Sequence, residues 1–242
     1  MKKNLSPRPQ PGPELVRHEA LPFDTLASAY DDWFEEQGKL IFAIEVKALQ
    51  EVLPLLPKPW LEVGVGSGRF AQALGVETGI DPSIKLLEMA SSRGVTGFIA
   101  RGEERFFKEG TFATVFLIVT LCFVDSPLAV LQEAYRILKP RGKIVLGLVL
   151  RESPWGQFYQ AKKQQGHRFY KHANFYSYQE VVGLLEHAGF AIDKVVSTLF
   201  QNPGEAGKME SPQRGFSSDA GFTVIVANKT PGSRRANWAE RA

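Results

Sequence analysis

The chain has 242 residues, 44% hydrophobic and 23% charged, which suits one globular domain with a proper core and excludes disorder over its whole length. Its 29 basic residues against 26 acidic ones leave a formal charge of +3, and the cations are dispersed, so charge supplies no nucleic-acid groove. The single cysteine, Cys122, permits no intramolecular disulfide, and with four scattered histidines it matches no zinc spacing.

The opening segment, MKKNLSPRPQPGPE, is positively charged but lacks an apolar run, and its prolines block regular structure. Residues 1–20 are expected to form a flexible lead, and the cytoplasm is the default compartment. From Phe23 to Leu53 apolar residues recur at helical spacing, with Gly38 as the interruption, which predicts two helices. Pro54, Pro57 and Pro59 close this region, and WLEVGV follows as a buried parallel strand bounded by glycines. Further strands are read in VETGID, VTGFIA, FATVFLIV and GKIVLGLV, and helices in GRFAQAL, PSIKLLEMASSRG and SPLAVLQEAYRILKP. The apolar stretch from Phe112 to Val124 is too short to cross a bilayer and is rich in β-branched residues, so it reads as a buried strand.

Alternating strands and helices imply a Rossmann-like, doubly wound, mostly parallel α/β sheet with helices on both faces. Near the end, SYQEVVGLLEHAGF reads as an amphipathic helix, and AIDKVVSTLF and GFTVIVANK as an antiparallel hairpin that brings the strands to seven. The expected organisation is one domain over 21–229. It comprises cover helices 23–53, a ligand-binding core 59–150, a cover segment 151–178 and a C-terminal helix and hairpin 179–229, with a flexible tail over 230–242.

The richest local signal is Leu61-Glu62-Val63-Gly64-Val65-Gly66-Ser67-Gly68-Arg69-Phe70, a strand running through a tight glycine turn into a helix. Glycines there let a ligand approach the backbone closely, at the carboxyl end of the first strand, or serve only the turn itself. A dinucleotide fingerprint needs its third glycine where Arg69 stands, and no lysine with serine or threonine closes a phosphate-binding loop. What remains is an acid followed by G-x-G-x-G.

This stretch resembles motif I of the class I S-adenosylmethionine-dependent methyltransferases, most closely the small methyltransferases of the ubiquinone and menaquinone biosynthesis type. Gly79-Ile80-Asp81-Pro82-Ser83 is similar to the second motif of that family, where an acid holds the ribose hydroxyls; a carboxylate accepts two hydrogen bonds from a vicinal diol. The alternative is that Asp81 merely caps the following helix. Leu131 to Pro140 and Gly142-Lys143 extend the likeness, which spans about 28–229 with its specific part in 61–145. The resemblance implies S-adenosyl-L-methionine as cofactor, with S-adenosyl-L-homocysteine as product. The implied cofactor residues are Tyr30, Glu62, Gly64, Val65, Gly66, Ser67, Gly68, Asp81, Pro82, Ser83, Gly102, Glu103 and Thr120.

Two departures stand out. Relatives often place an acid after strand three for the adenine amino group, whereas this chain reads Ala100-Arg101-Gly102-Glu103, leaving that task to Glu103 or to backbone groups. The usual Phe-Asp before strand four is Phe112-Ala113. A sulfonium methyl is already electrophilic, so methyl transfer requires an in-line nucleophile more than catalytic side chains, and no catalytic residue is assigned. The acceptor is expected to be a small molecule enclosed by Trp33, Cys122, Phe123, Arg151, Trp155 and Tyr159. Cys122 also reads as a buried hydrophobe, Tyr30 and Trp33 as a helix face, and Arg151 with Glu152 as a surface pair. No nucleic-acid or membrane partner is expected, no metal is assigned, and the chain is read as a monomer or homodimer. A nicotinamide-dependent oxidoreductase and a non-catalytic methyltransferase-like binding domain are the competing readings.

Overall fold

Runs of Val, Ile, Leu and Phe bounded by glycine or proline form the central sheet of the computed structural model, which describes residues 22–231. Five strands are parallel: β1 (Trp60–Val63), β2 (Thr78–Asp81), β3 (Thr96–Ile99), β4 (Phe112–Ile118) and β5 (Leu138–Leu148). Every residue of β4 is buried, as a strand covered on both faces requires. β6 (Phe190–Thr198) and β8 (Phe222–Lys229) are antiparallel, and β8 inserts between β5 and β6. The order is β3-β2-β1-β4-β5-β8-β6-β7, so the seven expected strands are joined by an eighth, β7 (Gln213–Arg214). That two-residue polar edge carries no hydrophobic alternation for a sequence reading to find. The link between β6 and β8 is a long loop over 199–221 instead of a tight turn, folded around the Glu210 carboxylate, which accepts from the Phe200 and Gln201 N–H groups at 2.7 and 2.9 Å.

Two helices precede β1 as predicted, α1 (Pro22–Glu35) and α2 (Lys39–Gln50). The turn between them requires glycine because a Cβ on Gly38 would lie 2.3 Å from the Trp33 ring. α3 (Arg69–Leu74), α4 (Ile84–Ser92), α5 (Pro127–Ile137), α6 (Pro154–Gln164) and α7 (Tyr178–Ala188) complete the two covering layers. Ser83 caps α4, Ser153 caps α6, and Ser177 with Glu180 forms a reciprocal capping box at α7. One core layer gathers Phe34, Leu49, Phe70, Phe116 and Phe222, and the opposite one Leu61, Leu131, Ile144, Val181 and Leu185.

The expected lead over 1–20 and the tail beyond Pro231 lie outside the described residues. Thr230, expected to begin that tail, is tied in: its N–H donates to the Gly189 carbonyl at 3.0 Å and its carbonyl accepts from the Tyr135 hydroxyl at 2.8 Å. No helix among the described residues is long and apolar enough to cross a membrane. The chain winds outward from β1 through β2 to β3, then returns to β4 on the other side. This reversal opens a crevice beyond the carboxyl ends of β1 and β4, the place where ligands bind in such sheets.

Candidate active site

The turn from β1 into α3 faces that crevice. Gly64, Gly66 and Gly68 have φ of +71°, +53° and +80°, a region that residues with a Cβ rarely enter. A Cβ on Gly64 would fall 2.3 Å from Thr120, whereas one on Gly66 would meet nothing closer than Tyr30 at 3.8 Å. Gly64 is therefore demanded by packing, while Gly66 presents its backbone to open space. The Gly66 N–H donates to Asp81 Oδ2 at 2.9 Å, and the Ser83 N–H donates to Asp81 Oδ1 at 2.9 Å. Asp81 at the end of β2 thus ties the glycine turn to the β2–α4 turn. It is not the cap of α4, since the Ser83 hydroxyl fills that role by accepting from the Leu86 N–H.

Burial pushes the Asp81 carboxyl up to about 6, against the two N–H donors that favour its ionised form. Glu62 lies on β1 close enough for the Asp81 charge to act on it, 1% exposed, with Oε2 unpartnered among the described residues. Burial, with the Asp81 charge added, holds its carboxyl well above the usual range.

A cavity of about 300 Å³ opens in front of these groups. Of the expected cofactor residues, Tyr30, Gly64, Gly66, Asp81, Pro82, Ser83, Gly102, Glu103 and Thr120 line it. Glu62, Val65, Ser67 and Gly68 are absent from that lining: they build the turn from behind, Val65 filling the space over Gly79 and Gly68 pressing on Ala90. At the far end Arg101 reaches Asp125 at 2.7 Å, and Glu103 Oε1 accepts from the Ser126 N–H at 3.3 Å.

α1 is clamped over the turn by an ion network. Arg69 donates to both oxygens of Asp31 at 2.7 and 2.8 Å and to Glu35 at 2.6 Å, while Arg93 joins Asp31 to the Ser67 carbonyl, each at 2.7 Å. These arginines overcome the effect of burial and hold the Asp31 carboxyl down at about 2. Arg69, which takes the place of the dinucleotide fingerprint's third glycine, is thus the anchor of the cover helix.

A second cavity of about 390 Å³ lies beneath that cover and shares Phe23, Tyr30, Val119 and Phe123 with the first. Val119, directly after β4, has φ of +52°, a strained conformation for a β-branched residue, and sits where the two cavities meet. Trp33, Cys122, Phe123 and Tyr159 line the second cavity. Burial pushes the Cys122 thiol up to about 12, which leaves it protonated and unsuited to act as a nucleophile at neutral pH.

Two expected substrate residues fall elsewhere. Arg151 pairs with Glu180 at 2.9 Å, half-exposed on the surface, and is absent from the lining of either cavity. Trp155 is 3% exposed and belongs to the core, its indole N–H donating to the Gln201 carbonyl at 2.8 Å and its ring occupying the space over Gly221. Sequence reasoning missed the Asp31–Arg69–Arg93 network, whose members are far apart in the chain, and it missed Glu45. Glu45 lines the second cavity from the buried face of α2. The signal was present: within LIFAIEVKALQ this acid falls on the apolar stripe, beside Ile44 and one turn before Leu49.

The family model for the methyltransferase domain matches residues 35–195. The chain belongs to the methyltransferase domain family. Among its relatives is an uncharacterized protein of Methanocaldococcus jannaschii, 37% identical over 86% of this chain and 98% of the relative. An uncharacterized protein of Mycobacterium tuberculosis is 39% identical over 83% of this chain and 71% of its own length. Among solved structures, a Thermotoga maritima protein described as an S-adenosylmethionine-dependent methyltransferase, possible histamine N-methyltransferase, is 37% identical. The match covers 86% of this chain and 99% of that one, with a TM-score of 0.80. The class I resemblance drawn from residues 61–145 agrees with these matches.

S-adenosyl-L-methionine is the cofactor of this methyltransferase class, and the residues present fit it. Gly66 leaves room where a Cβ would intrude, Asp81 offers carboxylate oxygens at the end of β2, and Glu62 keeps an unpartnered buried acceptor near them. Gly102 and Glu103 would take the adenine end, and Tyr30 with Thr120 the end nearest the second cavity.

Proposed function

We propose that this methyltransferase moves a methyl group from S-adenosyl-L-methionine to a small-molecule acceptor held in the second cavity. The observation that carries the reading is the juncture of the two cavities at Phe23, Tyr30, Val119 and Phe123. When bound, the donor supplies a sulfonium methyl, an electrophile that needs only a nucleophile aligned behind it and shielded from water. The chain's own part is then positional. Asp81 holds the ribose, the glycine turn fixes the donor's orientation, and the Asp31–Arg69–Arg93 network keeps α1 closed over the juncture. The ring-lined second cavity suits a small, partly apolar acceptor. The Thermotoga neighbour's description as a possible histamine N-methyltransferase names a small acceptor for that protein and supports the same size class here.

The test is an assay of the full chain with methyl-labelled donor against a library of small metabolites, with transfer RNA and protein extracts as comparison acceptors. Label appearing in a small product is expected. Label found only in RNA or protein would overturn the small-molecule reading.

A further inference from the structure

The second cavity contains a buried acid that the positional account leaves unused. Glu45 is 6% exposed, on the inward side of α2 between fully buried Ile44 and Ala48, and it lines the cavity. Among the described residues its carboxyl forms no hydrogen bond and no ion pair; of the other buried acids, Asp81 and Glu133 have partners, and Glu62, with its unpartnered Oε2, lies at the donor site. A buried carboxyl without a partner is costly to the fold and needs an explanation.

The walls around it are aromatic. Tyr30 and Phe34 from α1 meet edge to face at 5.3 Å, and Tyr159 from α6 stacks on Tyr170 at 4.4 Å. One carboxyl among ring faces matches the chemistry of a small organic cation, since the rings attract positive charge and the carboxylate accepts its N–H groups. An anionic acceptor would be repelled by the ionised Glu45 and could at best share the proton of its neutral form, and an apolar one would leave it unpaired.

Resting on the methyltransferase reading, we propose that the acceptor is a small amine entering as its ammonium ion, and that Glu45 binds its nitrogen and takes its proton. In that step the N–H bond breaks, its electron pair stays on nitrogen, and an O–H bond forms on the carboxylate. The nitrogen is left with the lone pair that any nucleophilic use of it requires.

Burial pushes the Glu45 carboxyl up to about 8, so in the empty cavity at pH 7 it holds a proton. Arrival of the ammonium ion therefore expels one proton to solvent, whichever partner keeps the remaining one. The other inner groups do not supply it: burial raises Tyr30, Tyr159, Tyr170 and Cys122 well above neutrality. Of the outer lining, His167 is held below its ordinary value by burial and by Lys162 and Arg168. Asp32 from α1 and Glu36 from the turn after it also line the cavity.

The test is calorimetric titration of the full chain at pH 7 with 2-phenylethylamine, 2-phenylethanol and phenylacetate, without donor, in two buffers of different ionisation enthalpy. Wild type and Glu45→Gln are compared, with S-adenosylhomocysteine titrated separately into each. The amine is expected to bind wild type at least about tenfold more tightly than the alcohol or the acid, releasing about one proton. Glu45→Gln should lose about tenfold in amine affinity and all proton release, with S-adenosylhomocysteine affinity unchanged. Absence of amine binding, amine binding without proton release, preference for alcohol or acid, or unaltered amine binding in Glu45→Gln would each overturn the proposal. The wild-type proton release is read without any variant. If S-adenosylhomocysteine fails to bind wild type while the amine pattern holds, the methyltransferase reading falls and the amine site stands.

Discussion

The two cavities are built in opposite ways. Around the first, the decisive contacts come from main chain: three left-handed glycines, and N–H groups of Gly66 and Ser83 converging on Asp81. Around the second, they are side chains from α1, α2, α6 and the 167–176 segment, mostly rings, with an acid that has no partner among the described residues. A site made of backbone is tied to one local stretch of chain and admits one ligand geometry. A site made of side chains from distant segments changes its ligand by substitution while the sheet stays as it is. The first suits a donor common to a whole family, the second an acceptor that differs between members.

The harshest way to break this contrast is Gly66→Val. A branched side chain would have to adopt φ of +53° and project into the donor cavity, so S-adenosylhomocysteine affinity should fall at least about a thousandfold. Calorimetry measures this, and far-ultraviolet circular dichroism shows whether the sheet survives. Any acceptor affinity measured without donor should change little, because Gly66 is absent from the second cavity's lining.

Glu45→Gln probes the other side through stability. The folded-state carboxyl stands at about 8, above its value in an unfolded chain, so the fold binds the extra proton and loses stability as pH rises from about 4.5 through 8. The glutamine variant removes that loss. It should match wild type at pH 4.5 and exceed it by roughly 4 kcal/mol at pH 9, as read by urea unfolding. Equal stabilities at both pH values would mean that the carboxyl is compensated in the fold.

Asp81→Ala comes next, with a loss of about ten- to a hundredfold in donor affinity expected from one charge-assisted contact. Because the free carboxyl titrates at about 6 and the ribose hydroxyls favour its ionised form, wild-type affinity should weaken about tenfold per unit as pH falls below 6. The alanine variant should show no such slope.

The mildest change is Asp31→Asn, which loosens α1 without touching either cavity's chemistry. Donor affinity should fall about two- to fivefold at low salt, with a smaller difference at high salt. Wild-type stability gained from this ionised acid is present above about 3.8 and lost as pH falls through about 2. The variant should lack that acid-side decline.

The same contrast explains what was legible in the chain. The parallel sheet, the glycine turn and Asp81 were readable because each is encoded within a few consecutive residues: apolar runs ending in glycine, then Gly79-Ile80-Asp81. The second cavity was readable only in part. Trp33, Cys122, Phe123 and Tyr159 were expected and line it, but Trp155, four residues before Tyr159 on α6, turned into the core against Gly221. Nothing in the local sequence separates those two aromatic positions, since which one faces the cavity depends on the 199–221 loop that covers the other. Arg69 was visible only as a departure from a nucleotide fingerprint, because its partner Asp31 is on a helix 38 residues earlier. Strand β7 and the anchoring of Thr230 likewise rest on contacts between distant residues.

What fills the first cavity separates a methyl donor from a dinucleotide most directly. Isothermal calorimetry of S-adenosylhomocysteine and of NAD, each titrated into wild type and Asp81→Ala at pH 7.5, decides it. One S-adenosylhomocysteine per chain, weakened about ten- to a hundredfold in the variant, with no heat from NAD, is the predicted result. Saturable NAD binding with no response to S-adenosylhomocysteine would contradict it.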